Sequence, residues 1–172
     1  SLMEVDDEYI YIIKTSEKSM KKLDKFTYQV ILEVSDMSMN SPSSIKADGD
    51  YIYLSGKKGS NHGNLQKFNR DTMEKVAETS YTLTDEILDF IIMGDYIYAL
   101  NREGGLQKFN KESMELIAET QKSPVSLSSI IIKGESIYSI RKSAVVGDFI
   151  GDFLEEYNKE TLVLIESVKL VD

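Results

Sequence analysis

Tyr51-Ile52-Tyr53 and Tyr96-Ile97-Tyr98 are two copies of one motif, which stands again at Tyr9-Ile10-Tyr11 and, in decayed form, at Ser136-Ile137-Tyr138. The steps between copies are 42, 45 and 40 residues. Repeats of about 40–45 residues have the period of a four-stranded propeller blade. A unit that short cannot bury its own apolar faces and must stack on its neighbours. The expectation is an all-β chain, a β-propeller of four consecutive four-stranded antiparallel blades with approximate limits 1–36, 43–80, 87–122 and 128–170.

The sequence around the motif repeats as well. Gly63-Asn64-Leu65-Gln66-Lys67-Phe68-Asn69-Arg70-Asp71-Thr72-Met73-Glu74 aligns with Gly104-Gly105-Leu106-Gln107-Lys108-Phe109-Asn110-Lys111-Glu112-Ser113-Met114-Glu115. Met20–Lys25 and Leu154–Lys159 carry the same frame in the first and last repeats. Each unit reads as four strands. An inner strand (Ser1–Val5, Ser43–Ala47, Leu88–Met93, Ser128–Lys133) ends in a turn such as Asp48-Gly49-Asp50, Gly94-Asp95 or Gly134-Glu135, whose residues tolerate positive φ. The tyrosine motif is the second strand and Leu65–Asn69 and its equivalents the third. An Asx-and-Thr turn then leads to an outer strand at Met73–Glu78, Met114–Glu119 or Leu162–Val168. Apolar spacing of two, with turn signals every 8–12 residues, excludes a helical reading.

Length variation is confined to one place. From the third strand to the key Tyr of the next unit the distances are 33, 33 and 32 residues; from that Tyr to the third strand within a unit they are 9, 12, 8 and 16. The variable connections Lys14–Ser19, Gly56–Asn64, Asn101–Gly105 and Arg141–Phe153 therefore share one face, beside the crossovers Met37–Pro42, Tyr81–Glu86 and Gln121–Leu127. Varied loops on a rigid scaffold are where binding concentrates. The candidate ligand-face residues there are Lys57, Lys58, Asn61, His62, Asp85, Glu86, Arg102, Asp148, Phe149 and Asp152.

Gly-Asp-Tyr-Ile-Tyr followed by Leu-Gln-Lys-Phe-Asn-x-x-Thr resembles the quinoprotein-like and YVTN-type propeller repeats. The resemblance covers essentially the whole chain and implies a blade rather than a chemistry. Cofactor-binding quinoproteins dock their blades with tryptophans; this chain has no Trp, so neither a cofactor nor a catalytic residue is carried over. The Gly-His and Trp-Asp pairs of WD repeats are also missing.

Composition narrows the function classes. A net charge of −9, from 29 acidic and 20 basic side chains, repels phosphate backbones and argues against nucleic-acid binding. With no Cys, disulfides and thiolate metal sites are excluded. No apolar run approaches the about 20 residues of a membrane span. The opening Ser1-Leu2-Met3 reads as a cloning remnant or a trimmed start, and no compartment is indicated. His62 is the single histidine and lies in a glycine-rich stretch, which reads as a polar loop residue rather than an acid–base group or a metal ligand. The acidic groups Asp85/Glu86/Asp89 and Asp148/Asp152/Glu155/Glu156 follow no calcium-loop pattern.

The reading is thus a single propeller domain or propeller segment acting as a non-catalytic binding or scaffold module, which recognises a protein, peptide or glycan through the variable-loop face. The alternatives are a lactonase-, lyase- or hydrolase-type propeller enzyme working at the channel mouth, and a purely structural repeat segment of a larger surface protein. For closure, a four-bladed ring, a segment of a longer propeller and self-association into a larger ring all remain open.

Overall fold

The computed structural model describes residues 1–35, 37–59, 62–80, 86–120, 127–142 and 151–170. These residues form sixteen strands, in four antiparallel sheets whose strands neighbour one another in sequence order. Each sheet is one repeat, so the fold is that of consecutive β-propeller blades. Two compact units divide the chain at Ile87/Leu88. Among the described residues, no helix is long and apolar enough to cross a membrane.

The first unit holds two sheets. Sheet 1 comprises β1 (Leu2–Val5), β2 (Tyr9–Lys14), β3 (Ser19–Asp24) and β4 (Val30–Val34); sheet 2 comprises β5 (Ser41–Asp48), β6 (Tyr51–Lys58), β7 (His62–Asn69) and β8 (Lys75–Glu78). β1 lies alongside β5. Tyr11, Ile13 and Met20 of sheet 1 are buried in one cluster with Ile45, Ile52, Leu54, Phe68 and Met73 of sheet 2. Alternate strand residues point to opposite faces, so the motif of sheet 1 gives Tyr11 to the shared cluster and the motif of sheet 2 gives Ile52.

The second unit repeats the plan. Sheet 3 is β9 (Ile87–Met93, beginning at the unit boundary), β10 (Tyr96–Asn101), β11 (Leu106–Asn110) and β12 (Leu116–Glu119). Sheet 4 is β13 (Leu127–Lys133), β14 (Ser136–Lys142), β15 (Asp152–Asn158) and β16 (Leu164–Lys169). Tyr98, Leu100 and Leu106 pack with Ile130, Ile137, Tyr157 and Leu162. The second-to-third strand registers are equivalent in all four sheets: Tyr11 faces Lys22, Tyr53 faces Lys67, Tyr98 faces Lys108 and Tyr138 faces Glu156.

The third turn carries the expected side-chain chemistry. Oδ1 of Asn69 accepts the backbone N–H groups of Asp71 and Thr72, and Asn110 and Asn158 do the same in their own turns. Each turn closes on an apolar residue at positive φ: Met73 at 56°, Met114 at 61° and Leu162 at 56°. A left-handed backbone costs a non-glycine residue about 1–2 kcal/mol. All three side chains are buried, which contributes about 1.5–3 kcal/mol each and offsets that cost.

One expectation is corrected. Gly56–Asn64 is not a loop: β6 continues to Lys58 and β7 starts at His62, with Gly56 paired to Asn64, Lys57 to Gly63 and Lys58 to His62. The extra residues of this repeat extend a ladder in which alternate pairs exchange backbone hydrogen bonds, and the Lys57 carbonyl accepts instead from the Asn40 N–H. β5 also starts earlier than expected, at Ser41, and its register shifts between Pro42 and Ser44. A bulge is where a proline, which has no N–H, is tolerated in a sheet.

Candidate functional site

The largest buried charges sit where sequence reading placed only strand filler. Lys22, Lys67 and Lys108, on the third strands, are nearly fully buried. Each Nζ lies over the ring of the first motif tyrosine: Lys22 3.8 Å from the Tyr9 centroid, Lys67 4.0 Å from Tyr51 and Lys108 4.0 Å from Tyr96. A partly desolvated cation on an aromatic face contributes about 0.5–2 kcal/mol. Lys22 also donates to the Arg70 carbonyl at 3.0 Å and Lys108 pairs with Glu160 at 2.7 Å, so each ties its sheet to the third turn of the next. Lys108 holds the Glu160 carboxyl below its ordinary range. Burial pushes Tyr11 and Tyr98 up to about 12. The fourth sheet changes both partners together: Ser136 replaces the first tyrosine and Glu156 the lysine, and the Ser136 and Tyr138 hydroxyls donate to that carboxylate.

The candidate ligand-face residues are placed as follows. In the first unit Lys57, Lys58 and His62 stand on the extended β6–β7 hairpin, His62 exposed and directly opposite Lys58. Lys58 Nζ is 2.7 Å from Glu78 Oε1, while Lys75 Nζ is 2.9 Å from the other oxygen. Burial raises the Glu78 carboxyl, but these two ammonium groups outweigh it and hold the net value below the ordinary 4.5. Glu86 immediately precedes β9. In the second unit Arg102 lies in the exposed turn after β10, and Asp152 begins β15. Asn61, Asp85, Asp148 and Phe149 lie outside the described residues. The Lys58–Glu78 pairing gives the first pH-dependent expectation. A carboxyl with a depressed folded value stabilises the fold above its unfolded value, and that stability is lost as pH falls through the folded one. The thermal midpoint should therefore drop on acidification below pH 4.5, and Glu78→Gln should shrink that drop. An acid limb identical in both proteins would remove Glu78 from the balance.

Equivalent grooves run between the paired sheets of each unit, and they differ in chemistry. The groove of the first unit, about 360 Å³, is walled by Val34, Met37, Phe68 and Met73, with Ser38, Glu74 and Lys75 at its polar side. The groove of the second unit, about 470 Å³, is lined by Gly104, Glu119 and Thr120 from sheet 3 and by Arg141, Glu155, Tyr157 and the Thr161–Leu164 turn from sheet 4. Its floor is a connected polar trio. The Tyr157 hydroxyl donates to Glu155 Oε2 at 2.6 Å, and Arg141 Nε lies 2.9 Å from Glu155 Oε1 as a charge contact without hydrogen-bond alignment. Burial and the adjacent carboxylate both push the Tyr157 phenol well above its ordinary 10.0. The Arg141 guanidinium stacks on Phe153, 4.8 Å from the ring centroid.

These three residues were missed as a group, although a signal existed. In the strand registers Arg141 takes the place of Gly56 and Asn101, Glu155 that of Gln66 and Gln107, and Tyr157 that of Phe68 and Phe109. Sheet 1 has Lys14, Lys21 and Leu23 at these positions, so among the described residues an acid next to an arginine and a phenol is built there in sheet 4 alone. The acidic group containing Glu155 and Glu156 is in fact split across the strand: Glu155 turns to Arg141 and Tyr157, Glu156 to Ser136 and Tyr138.

The arrangement is that of a β-propeller, and solved structures agree. No family model matches the chain, and no curated protein matches it. It is similar to the crystal structure of the computationally designed Ika8 protein, with a TM-score of 0.74 and 8% identity over 96% of this chain and 47% of that one. It is also similar to BamB from Moraxella catarrhalis, a propeller protein, with a TM-score of 0.61 and 19% identity over 80% of this chain and 38% of that one. The chain spans less than half the length of either.

Proposed function

We propose that this chain is a non-catalytic propeller module that recognises a protein, peptide or glycan through the variable-loop face, and that the groove between sheets 3 and 4 is the contact site. The observation that carries the proposal is the Arg141–Glu155–Tyr157 trio. It lines a groove of about 470 Å³, and it stands at three positions that hold Gly56, Gln66 and Phe68 in sheet 2 and Asn101, Gln107 and Phe109 in sheet 3. Ligand sites of this size combine apolar walls with a few fixed polar groups that set orientation. Here Leu162, Val163 and Leu164 supply the apolar wall, and Arg141 and Glu119 supply opposite charges within it.

The experiment is a screen of the purified chain on a peptide and glycan array, followed by calorimetric titration of the strongest binder. Arg141→Ala and Glu155→Gln are each expected to weaken that binder by about tenfold or more, as loss of a partner in a buried charged contact costs about 2 kcal/mol or more. Lys133→Ala, an exposed lysine at the end of β13 that is not among the ligand-face candidates, serves as a control for general surface charge and should leave binding unchanged. Binding unaffected by either sheet 4 substitution, or no binder at all, would overturn the assignment.

A further inference from the structure

Among the described residues, sheets 1 and 4 each carry one apolar face that is less covered than its equivalents. Where sheet 1 meets sheet 2, the covered residues are Tyr11, Ile13 and Met20 on one side and Ile45, Ile52, Phe68 and Met73 on the other. Sheet 3 meets sheet 4 through Tyr98, Leu100 and Leu106 against Ile130, Ile137, Tyr157 and Leu162. All of these are buried. On the opposite face of sheet 4 the matching residues are Tyr138, Ile140 and Leu154; the first two are only partly buried and Leu154 is 37% exposed. On the opposite face of sheet 1 they are Met3, Ile10, Leu23 and the turn residue Tyr28, with Met3 65% and Tyr28 69% exposed. Tyr28 has the same left-handed backbone as Met73 and Leu162, at φ 58°, yet without the burial that offsets its cost in those turns.

At these two faces the strand charge is reversed and the turn acid is absent, while the base before it is kept as Lys25, as in the other turns with Arg70, Lys111 and Lys159. In the covered junctions a third-strand lysine meets an acid in the next turn: Lys22 with Asp71 at 3.8 Å and Lys108 with Glu160 at 2.7 Å. Sheet 4 has Glu156 where the lysine belongs, and the turn of sheet 1 reads Asp24-Lys25-Phe26-Thr27, with Phe26 in place of the acid. In the sheet 1–sheet 2 junction the residue before the acid, Arg70, reaches back to the Tyr11 hydroxyl at 3.1 Å and the Asp6 carboxylate at 2.9 Å. Its counterpart is Lys25, and the counterpart of that tyrosine is Tyr138, whose hydroxyl is bound to Glu156.

We propose that the free face of sheet 4 docks on the free face of sheet 1 of a second copy of this chain, with Glu156 of one copy facing Lys25 of the other. The occupant follows from complementarity. Glu156 would repel the acid of the ordinary turns bearing Asp71, Glu112 or Glu160, and is accommodated by the turn that has Lys25 and no acid. Two copies joined in this way through both pairs of faces close on themselves and leave neither apolar face in water. Together they have the length of the solved propeller chains of which one copy spans less than half.

The test is the mass in solution by light scattering over a concentration series. The wild-type chain should run at twice 19.5 kDa. Glu156→Lys places two like charges together, as does Phe26→Asp, and each should raise the dissociation constant by about tenfold or more. The double variant E156K/F26D recreates the Lys22–Asp71 arrangement and should recover the dimer, which separates a lost junction from a failure to fold. A chain that stays at 19.5 kDa at every concentration overturns the proposal, as does an open ladder of masses or a dimer indifferent to Glu156→Lys. Because the chain has no cysteine, Lys25→Cys and Glu156→Cys copies can be mixed with a short thiol cross-linker. A cross-linked pair of chains is expected; linkage within one chain carrying both cysteines, and none between chains, would place the junction inside a single copy and overturn a second-copy occupant.

Discussion

Replacing Tyr53 with alanine is expected to lower the free energy of unfolding by about 3–5 kcal/mol, the range for large aromatic truncations in cores. Its side chain is fully buried in the middle of β6, between Lys46 of β5 and Lys67 of β7. The ring also meets Tyr51 edge-on, with centroids 6.4 Å apart and planes at 64°, and such pairs contribute about 0.5–1.5 kcal/mol beyond burial. The same edge-on pair recurs at Tyr9/Tyr11 and Tyr96/Tyr98, so Tyr98→Ala should behave alike. Urea unfolding at equilibrium is the measurement, read from the midpoint at constant slope. A loss below about 1 kcal/mol, ordinary for an arbitrary substitution, would mean that the motif tyrosine is not a core residue.

Gly56→Ala should destabilise by about 3 kcal/mol, the upper part of the overpacking range. A Cβ at Gly56 would stand 2.3 Å from the Ser41 carbonyl oxygen, 2.7 Å from the Pro42 Cα and 2.8 Å from the Met39 sulfur. Two of these three atoms are backbone of the neighbouring strand and cannot rotate away. The cost should therefore appear as a shifted β5, with lost amide protection around Asn40, whose N–H donates to the Lys57 carbonyl at 2.9 Å. Gly59 lies three residues further along, at φ 73°, where an added Cβ meets nothing within 4 Å. Gly59→Ala should cost only the left-handed backbone term, about 1–2 kcal/mol. Equal losses at the two glycines would show that close approach of β5 is not what Gly56 serves.

The grooves illustrate how position in the repeat and chemistry separate. Met73 and Leu162 occupy the same turn position with the same backbone, and each lines the groove of its own unit. The walls differ because Phe68 is replaced by Tyr157, and Gln66, which donates to Ser38 and Glu78, is replaced by Glu155, which turns to Arg141. A repeat comparison made residue by residue would have flagged those positions. Conventional catalytic and metal spacings do not join them: Glu155 enters only an acidic group without a calcium-loop pattern, and Arg141 and Tyr157 enter none.

Strand order, the tyrosine register and the Asx turns were legible in the chain because they depend on neighbours a few residues apart. The period of two sets which residues share a face, and Asn69 closes its turn on the N–H groups of Asp71 and Thr72 within four residues. The alignment of Leu65 with Leu106 and of Tyr53 with Tyr98 is likewise a property of the repeat itself. Tertiary structure alone decided the rest. That Lys22, Lys67 and Lys108 are buried cations, rather than solvated ones, depends on rings across the strand pair and, for Lys22 and Lys108, on turns about fifty residues away in the chain. That Gly56 is a strand residue under a neighbouring backbone depends on Ser41 and Pro42. Local preference names the strand; what an individual side chain meets is determined by the sheet packed against it, because burial and desolvation are properties of the assembled faces and not of the segment.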